Sequence, residues 1–287
     1  MTSFAEWIGR RSEEEDVVTG RLVESFRAVF DPHLAVVPAG LAPLGIHWCL
    51  APSIARMGEL GPDGHPMKNR ELPPVPAPRR MWAGGWIETF DPLRVGDRVR
   101  RISTIADVAR KDGRSGELWF VGVERDYVTE RGVAVRERHD IVYREAARQS
   151  PRTAERLARE EAETVRRSSR DWSVATSPTF LFRYSAITFN GHRIHYDLPY
   201  AVETEGYEGL VVHAPIQATL LLNLAAEDAG VPRRFVYRGV SPAIAGHKLT
   251  ARAGAGKERD SLWIEGPSGR VSMTASAVGR FDLTGPA

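Results

Sequence analysis

The densest run of reactive side chains, Arg183 to Asp197, reads RYSAITFNGHRIHYD. His192, His195 and Asp197 follow Asn190-Gly191, a turn signal that sets side chains on or just after a bend, where they reach solvent or a cleft. An imidazole titrates near neutral pH, so a histidine here can take and return a proton. Residue types alone fit a polar loop with exposed histidines equally well. Some way on, His213-Ala214-Pro215-Ile216 opens an apolar segment. Proline is tolerated at a helix start, and the free N–H groups of such a start stabilise developing negative charge; Pro215 has no N–H, so it cannot be the donor.

Such a cluster needs a scaffold, and the chain carries two copies of one pattern. Each half enters an apolar segment through Ala-Pro, at Ala42-Pro43 and Ala214-Pro215. The stretches that follow, LGIHWCLAPSIAR and IQATLLLNLAAEDAG, are apolar around the circumference. They predict a helix wrapped by other structure in each half, with Pro52 kinking the first. A Pro-x-x-x-Gly turn comes next, at Pro92 to Gly96 and at Pro242 to Gly246, 150 residues apart. Leu118-Trp119-Phe120-Val121 then answers Leu262-Trp263-Ile264-Glu265, each followed by a turn and an alternating strand. From Ala-Pro to the turn is 49 residues in the first half and 27 in the second, and the surplus matches the Pro-rich stretch Gly61 to Arg80, read as a surface loop with a task.

The halves are divided by a stretch dense in charge and opened by Ser150-Pro151. The expected organisation is an N-terminal unit over 1–147, a charged linker over 148–172 and a C-terminal, catalytic unit over 173–287. An apolar helix followed by antiparallel strands, twice over, predicts an α+β double hotdog: two tandem units, each a helix wrapped by a curved sheet. Two units in one chain reproduce what a single-unit protein achieves by dimerising. Further assembly as a homodimer or higher homo-oligomer stays open.

Lys+Arg 39 against Asp+Glu 37 leaves a formal charge of +2, too balanced for sequence-independent binding of nucleic acid. Cys49 is the only cysteine, which excludes an internal disulfide and cysteine-rich zinc or iron–sulfur sites. The beginning, MTSFAEWIGRRSEEEDVV, lacks the succession of a secretory signal, so a cytoplasmic location is expected. Gly209 to Ala226, the most apolar window, is broken by His213, Pro215, Gln217 and Asn223 and suits a buried helix rather than a membrane span. No metal or redox cofactor enters this reading.

FNGHRIHYD resembles the active-site motif of the MaoC-like, R-specific enoyl-CoA hydratase family, which runs aromatic, small residues, Asp, x, Asn, Pro, aliphatic, His. The matching positions are Phe189 or Tyr184 for the aromatic, Asn190 for the Asp, His192 for the Asn, Arg193 for the Pro, Ile194 for the aliphatic and His195 for the His. With VVHAPIQATLL, PLGIHW and RRMWAGGWIETFDPLRVGD, essentially the whole chain resembles that family's double-hotdog branch of mesaconyl-C4-CoA and itaconyl-CoA hydratases. The resemblance implies a CoA-thioester substrate and reversible syn addition of water to a short branched dicarboxylic enoyl-CoA, giving citramalyl-CoA. It implies His195 as base and acid, Asn190 as the residue positioning water, and the Ala214 N–H as donor to the thioester oxygen. An amide orients water but cannot take its proton, so with Asn190 in place of the acid the base is His195. Asp197 is the alternative carboxylate.

The first half has no histidine at the matching distance and reads as a degenerate copy that lends its surface to substrate. Its candidates are His47, Trp48, His65, Arg79, Arg80 and Trp82, joined from the second half by His213 and Tyr184. Paired arginines such as Arg79-Arg80 suit a carboxylate or the CoA phosphates, and Arg233, Arg234 and Arg238 form a second set. Three rivals stand beside this reading: a 3-hydroxyacyl-thioester dehydratase of fatty-acyl metabolism, a hotdog thioesterase, and a non-catalytic acyl-CoA-binding module. The thioesterase needs a carboxylate near the helix start, for which Glu203, Glu205 and Glu208 are the candidates.

Overall fold

The structure, a computed structural model, describes residues 4–113, 116–144, 167–227, 230–258 and 260–281. Ten antiparallel strands make one sheet: β1 (Arg11–Val17), β2 (Arg79–Thr89), β3 (Arg98–Gly113), β4 (Gly116–Thr129), β5 (Gly132–Arg144), β6 (Ser168–Ala175), β7 (Val231–Gly239), β8 (Lys248–Gly254), β9 (Ser261–Glu265) and β10 (Val271–Phe281). Their spatial order is β1-β3-β4-β5-β2-β7-β10-β9-β8-β6. Outward from the β2–β7 seam the halves run in the same order, β2, β5, β4, β3, β1 and β7, β10, β9, β8, β6. At the seam Trp86 faces Val236, again 150 residues apart. Gly96 and Gly246, the repeated turn glycines, have φ of 96° and 92°, a left-handed backbone that strains any other residue.

The described residues hold three α-helices, α1 (Gly20–Phe30), α2 (Pro178–Thr188) and α3 (Ala214–Ala226), the last packed against β7 to β10. α1 and α2 are counterparts, capped by the hydroxyls of Thr19 and Ser177, which accept from Leu22 N and Phe180 N at 3.1 Å each. Phe30 of α1 meets Phe180 and Tyr184 of α2 edge to face. α3 is buried at every position from Ile216 to Ala226, as its apolar circumference requires. The main core draws on both halves, with Phe26, Phe30 and Ile46 packed together with Leu220, Leu224 and Phe235.

The first half has no counterpart of α3. LGIHWCLAPSIAR, expected as a helix, holds one 3₁₀ turn, Ile46–Cys49, and no further helical turn. Ala51 sits at φ 48° ahead of Pro52, and a proline disfavours helical backbone in the residue before it. Ala42 N donates to Leu93 O, and Val212 N to Ala243 O, at 2.8 Å each. Ala42 is therefore the equivalent of Val212, and Pro43 stands at the place of His213 rather than Pro215. From cap to this point is 23 residues in the first half (Thr19 to Ala42) but 35 in the second (Ser177 to Val212). The additional segment carries His192 and His195, which is why the first half has no counterparts of these two.

Residues 168–172, expected at the end of the linker, instead begin β6, where Trp172 pairs with Ala251 of β8. The remainder of that segment, 148–166, lies outside the described residues. The Pro-rich stretch is anchored rather than loose: Val75 and Ala77 are buried with Phe4, Trp7 and Tyr143, and Arg79 and Arg80 already belong to β2. No helix among the described residues is long and apolar enough to cross a membrane.

Candidate active site

A cavity of about 1120 Å³ is lined by residues of both halves. One wall is the inner face of the first-half sheet, represented by Arg101, Arg125, His139 and Trp82, which no central helix covers. Another is formed by α2, the loop after it and the start of α3.

The loop is shaped by its own polar residues. α2 stops at Phe189, at φ 51°, and the Asn190 Oδ1 accepts from His192 N at 3.0 Å, closing the turn. A 3₁₀ turn, Arg193–His195, follows. Asp197 pins it, accepting from Arg193 Nη2 at 2.7 Å and from Tyr200 N at 3.1 Å. Those bonds hold its carboxyl below the usual range and occupy it structurally; Asp197 is not among the residues lining the cavity.

His195 lines the cavity and is 6% exposed. Its Nδ1 lies 2.7 Å from Val211 O, so Nδ1–H donates there and Nε2 keeps its lone pair. The ring stacks on His213, with centroids 3.5 Å apart and planes at 16°. Burial pushes the His195 pKa down to about 4, and that of His213 well below its ordinary value. His213 Nε2 is 2.9 Å from Ser185 Oγ. Both rings are therefore neutral near pH 7, and His195 can accept a proton.

His192 stands between two other imidazoles, 5.4 Å from the His195 ring and 4.1 Å from that of His65. Burial lowers its pKa too. His65 arrives from the Pro-rich stretch, docked where Gly64 meets Gly191: a Cβ on Gly64 would lie 2.0 Å from Gly191 O. Arg193 holds the same stretch, donating through its N to Asp63 O at 2.9 Å and through Nη1 to Pro62 O at 3.0 Å. Asp63, His65 and His192 bring metal-ligand atoms within 4.8 Å of one another. Arg80 Nε lies 3.0 Å from His65 Nδ1, however, and that guanidinium opposes a cation at the same atom.

Ala214 is the first residue of α3 and lines the cavity; its N–H has no partner among the described residues. It lies at the positive end of a buried helix, one residue from His213.

The cavity thus gathers His195, Asn190, Ala214, His213, Tyr184, Arg80 and Trp82. His47 and Arg79 are not on its wall. His47 lies 3.6 Å from the buried Glu137, and Arg79 is paired with Glu205 at 3.1 Å. Arg234 pairs with Glu88 across the seam, and neither it, Arg233 nor Arg238 lines the cavity. Glu203, Glu205 and Glu208 do not line it either. Residue patterns did not single out Ser185, the Val211 carbonyl, Arg125, Glu137 or His139. His192 stands out in the sequence beside His195 and Asp197, as a reactive side chain after the turn and as the match to the motif's asparagine.

The sequence profile of hydroxyacyl-thioester dehydratase type 2 matches residues 45–245. The mesaconyl-C(4)-CoA hydratase of Chloroflexus aurantiacus is 36% identical over 274 residues, covering 94% of this chain and 95% of its own. The chain belongs to the hydroxyacyl-thioester dehydratase type 2 family. A mitochondrial type 2 dehydratase of Schizosaccharomyces pombe is 33% identical over 98 residues, a third of this chain and 32% of its own. Among solved structures, a MaoC-like dehydratase superposes with a TM-score of 0.69 at 14% identity, covering 98% of this chain and 100% of that one. A double-hotdog protein of Mycobacterium tuberculosis superposes at 0.54 with 9% identity, over 94% of this chain and 95% of that one. The chain accordingly has the double-hotdog fold.

Proposed function

We propose that this protein reversibly hydrates an enoyl-CoA, with a short branched dicarboxylic acyl group of the mesaconyl-C4-CoA type as its substrate. The observation that carries the reading is the pairing of a neutral, buried His195, anchored through Nδ1 with Nε2 unbonded, and an unpartnered Ala214 N–H in the same cavity. As the water oxygen bonds to the β-carbon, His195 Nε2 takes one of its protons and the electron pair of the double bond moves onto the thioester oxygen. The Ala214 N–H donates to that oxygen. The imidazolium then returns its proton to the α-carbon on the same face, which gives syn addition and restores His195. Asn190 and His192 hold the water. The opposite direction dehydrates a 3-hydroxyacyl thioester with the same groups.

A thioesterase would need a carboxylate to activate water near the start of α3, and the glutamates preceding that helix are not on the cavity wall. The direct test follows enoyl-thioester absorbance and free thiol together, with mesaconyl-C4-CoA, itaconyl-CoA, crotonyl-CoA and a longer enoyl-CoA. Loss of absorbance without thiol release is expected, fastest with a dicarboxylic substrate. Thiol release alone would make the protein a thioesterase, and silence on both would leave an acyl-CoA-binding module.

A further inference from the structure

Beneath the first-half sheet the largely apolar cavity wall carries the polar side chains Arg125 and His139, both bonded to a buried acid. Glu137 is wholly buried, and its carboxylate accepts from Trp48 Nε1 at 2.7 Å, Tyr127 OH at 2.9 Å and Arg125 Nη1 at 3.3 Å. His139 Nε2 lies 2.8 Å from it. Arg125 Nη1 also lies 2.6 Å from His139 Nδ1, so the neutral tautomer of His139 accepts at Nδ1 and donates from Nε2. All hydrogen bonds of the Arg125 guanidinium among the described residues thus leave through Nη1. Its Nε is buried without a partner.

The Nε–Nη2 edge left over is a fork that fits a carboxylate with two parallel N–H···O bonds. Other donors lining the same cavity are also buried without partners among the described residues, among them the Trp82 indole N–H, the Tyr184 hydroxyl, the Tyr143 hydroxyl and Nε of Arg101 and Arg144. Tyr184 is 1% exposed, and Trp82 packs on His139 with ring centroids 4.5 Å apart. Buried donors are normally paired, and several unmet ones on the wall of one cavity call for an acceptor; of these, Trp82 and Tyr184 lie among aromatic and imidazole rings, Trp82 against His139 and Tyr184 against His213. Glu71, the other acid acting on Arg125, is exposed and engaged by the Ser53 hydroxyl.

The geometry points to a subsite for a carboxylate at the far end of a short acyl chain, received by the Nε–Nη2 edge of Arg125, with Trp82 Nε1–H and Tyr184 O–H as further donors. This rests on the cavity being the acyl-thioester site, and it identifies the residues that select a monothioester of a dicarboxylic acid over a neutral acyl chain.

The test is calorimetric binding of succinyl-CoA and butyryl-CoA, two saturated thioesters of equal chain length, of which only the first ends in a carboxylate. The full chain should bind succinyl-CoA roughly tenfold to a hundredfold more tightly, the range of charge-assisted hydrogen bonds. In R125M/E137Q, which removes the buried ion pair as a pair, the ratio should fall to about one. Y184F should lower the ratio severalfold without lowering the unfolding temperature, because the hydroxyl it removes has no partner in the protein. Should the double variant fail to fold, Arg125→Lys keeps the charge, loses the fork and is read by the same ratio. A ratio near one in the parent protein, or one that survives loss of the fork, overturns the subsite. Neither probe can be hydrated. A succinyl preference without any hydratase activity would overturn the reaction and keep the subsite, and hydration without the preference would do the reverse.

Discussion

His195 meets the two demands on a general base, a lone pair facing the reacting centre and a neutral ring at working pH, through one carbonyl and its burial. Val211 O fixes the tautomer, and desolvation holds the pKa down at about 4. Since the base must be unprotonated, kcat/KM should be flat above about pH 5 and fall with an acid limb near 4. An unperturbed histidine would place that limb near 6.5. A pH–rate profile measured on the free enzyme decides, and a limb at about 6.5 would mean that Nε2 is solvated rather than buried. His195→Asn should lower turnover by about 10²- to 10⁴-fold while circular dichroism and ligand binding persist. Asn190 behaves differently, because its Oδ1 is engaged by His192 N. Asn190→Asp keeps that acceptor and should retain activity, whereas Asn190→Ala should lose about tenfold by freeing the loop that carries His192 and His195. Equal loss in both variants would count against this role.

At the scale of elements, the catalytic loop is held from outside by the stretch carrying Asp63, Gly64 and His65. Gly64→Ala places a Cβ against Gly191 O at a left-handed φ of 86°, so the stretch must lift. The expected result is a KM raised at least tenfold, with a stability loss of only about 1–3 kcal/mol, the usual cost of local backbone strain. Unchanged steady-state kinetics would show that this docking does not serve substrate binding. The docking joins residues 64 and 191, more than a hundred positions apart, and no local pattern encodes it. The repeat itself was legible: the Pro-x-x-x-Gly turns, the paired Leu-Trp strands and the buried apolar helix α3 all follow from side-chain periodicity and turn chemistry. The missing first-half helix was not, because Ile46 to Leu50 is as apolar as a core helix would be, and apolarity reports burial rather than conformation. Alternation along VAVRERHDIVYR marks a strand, yet its inward face carries Glu137 and His139. A pattern that reads charge as solvent exposure necessarily missed that polar pair.

Across the whole molecule, the β2–β7 seam and the shared core make one folding unit, so the chemistry of the cavity is written into the stability of the entire chain. His192, His195 and His213 are buried and His65 and His139 partly so, and all five have pKa values below the ordinary one, mainly through desolvation. Above about pH 6.5 folded and unfolded chains both hold these rings neutral, and stability is full. As pH falls below that, the unfolded chain takes up protons that the folded chain refuses. Stability therefore declines from about pH 6.5 toward pH 4, where His139 and His195 begin to titrate in the folded state, and the other three extend the loss further. Each fully developed site contributes a slope of about 1.4 kcal/mol per pH unit. Glu137, whose pKa is held well below the usual carboxylate value, adds a loss only below about pH 4.5, so the window from 6.5 to 4.5 belongs to the histidines. Urea unfolding at pH 7.5, 6 and 5 should give a single transition whose midpoint falls steeply across that window. His139→Gln should reduce the proton uptake on unfolding by about one. A midpoint constant from pH 7.5 to 5 would show that water reaches these rings, and the low-pH limb expected for His195 would have to be given up with it.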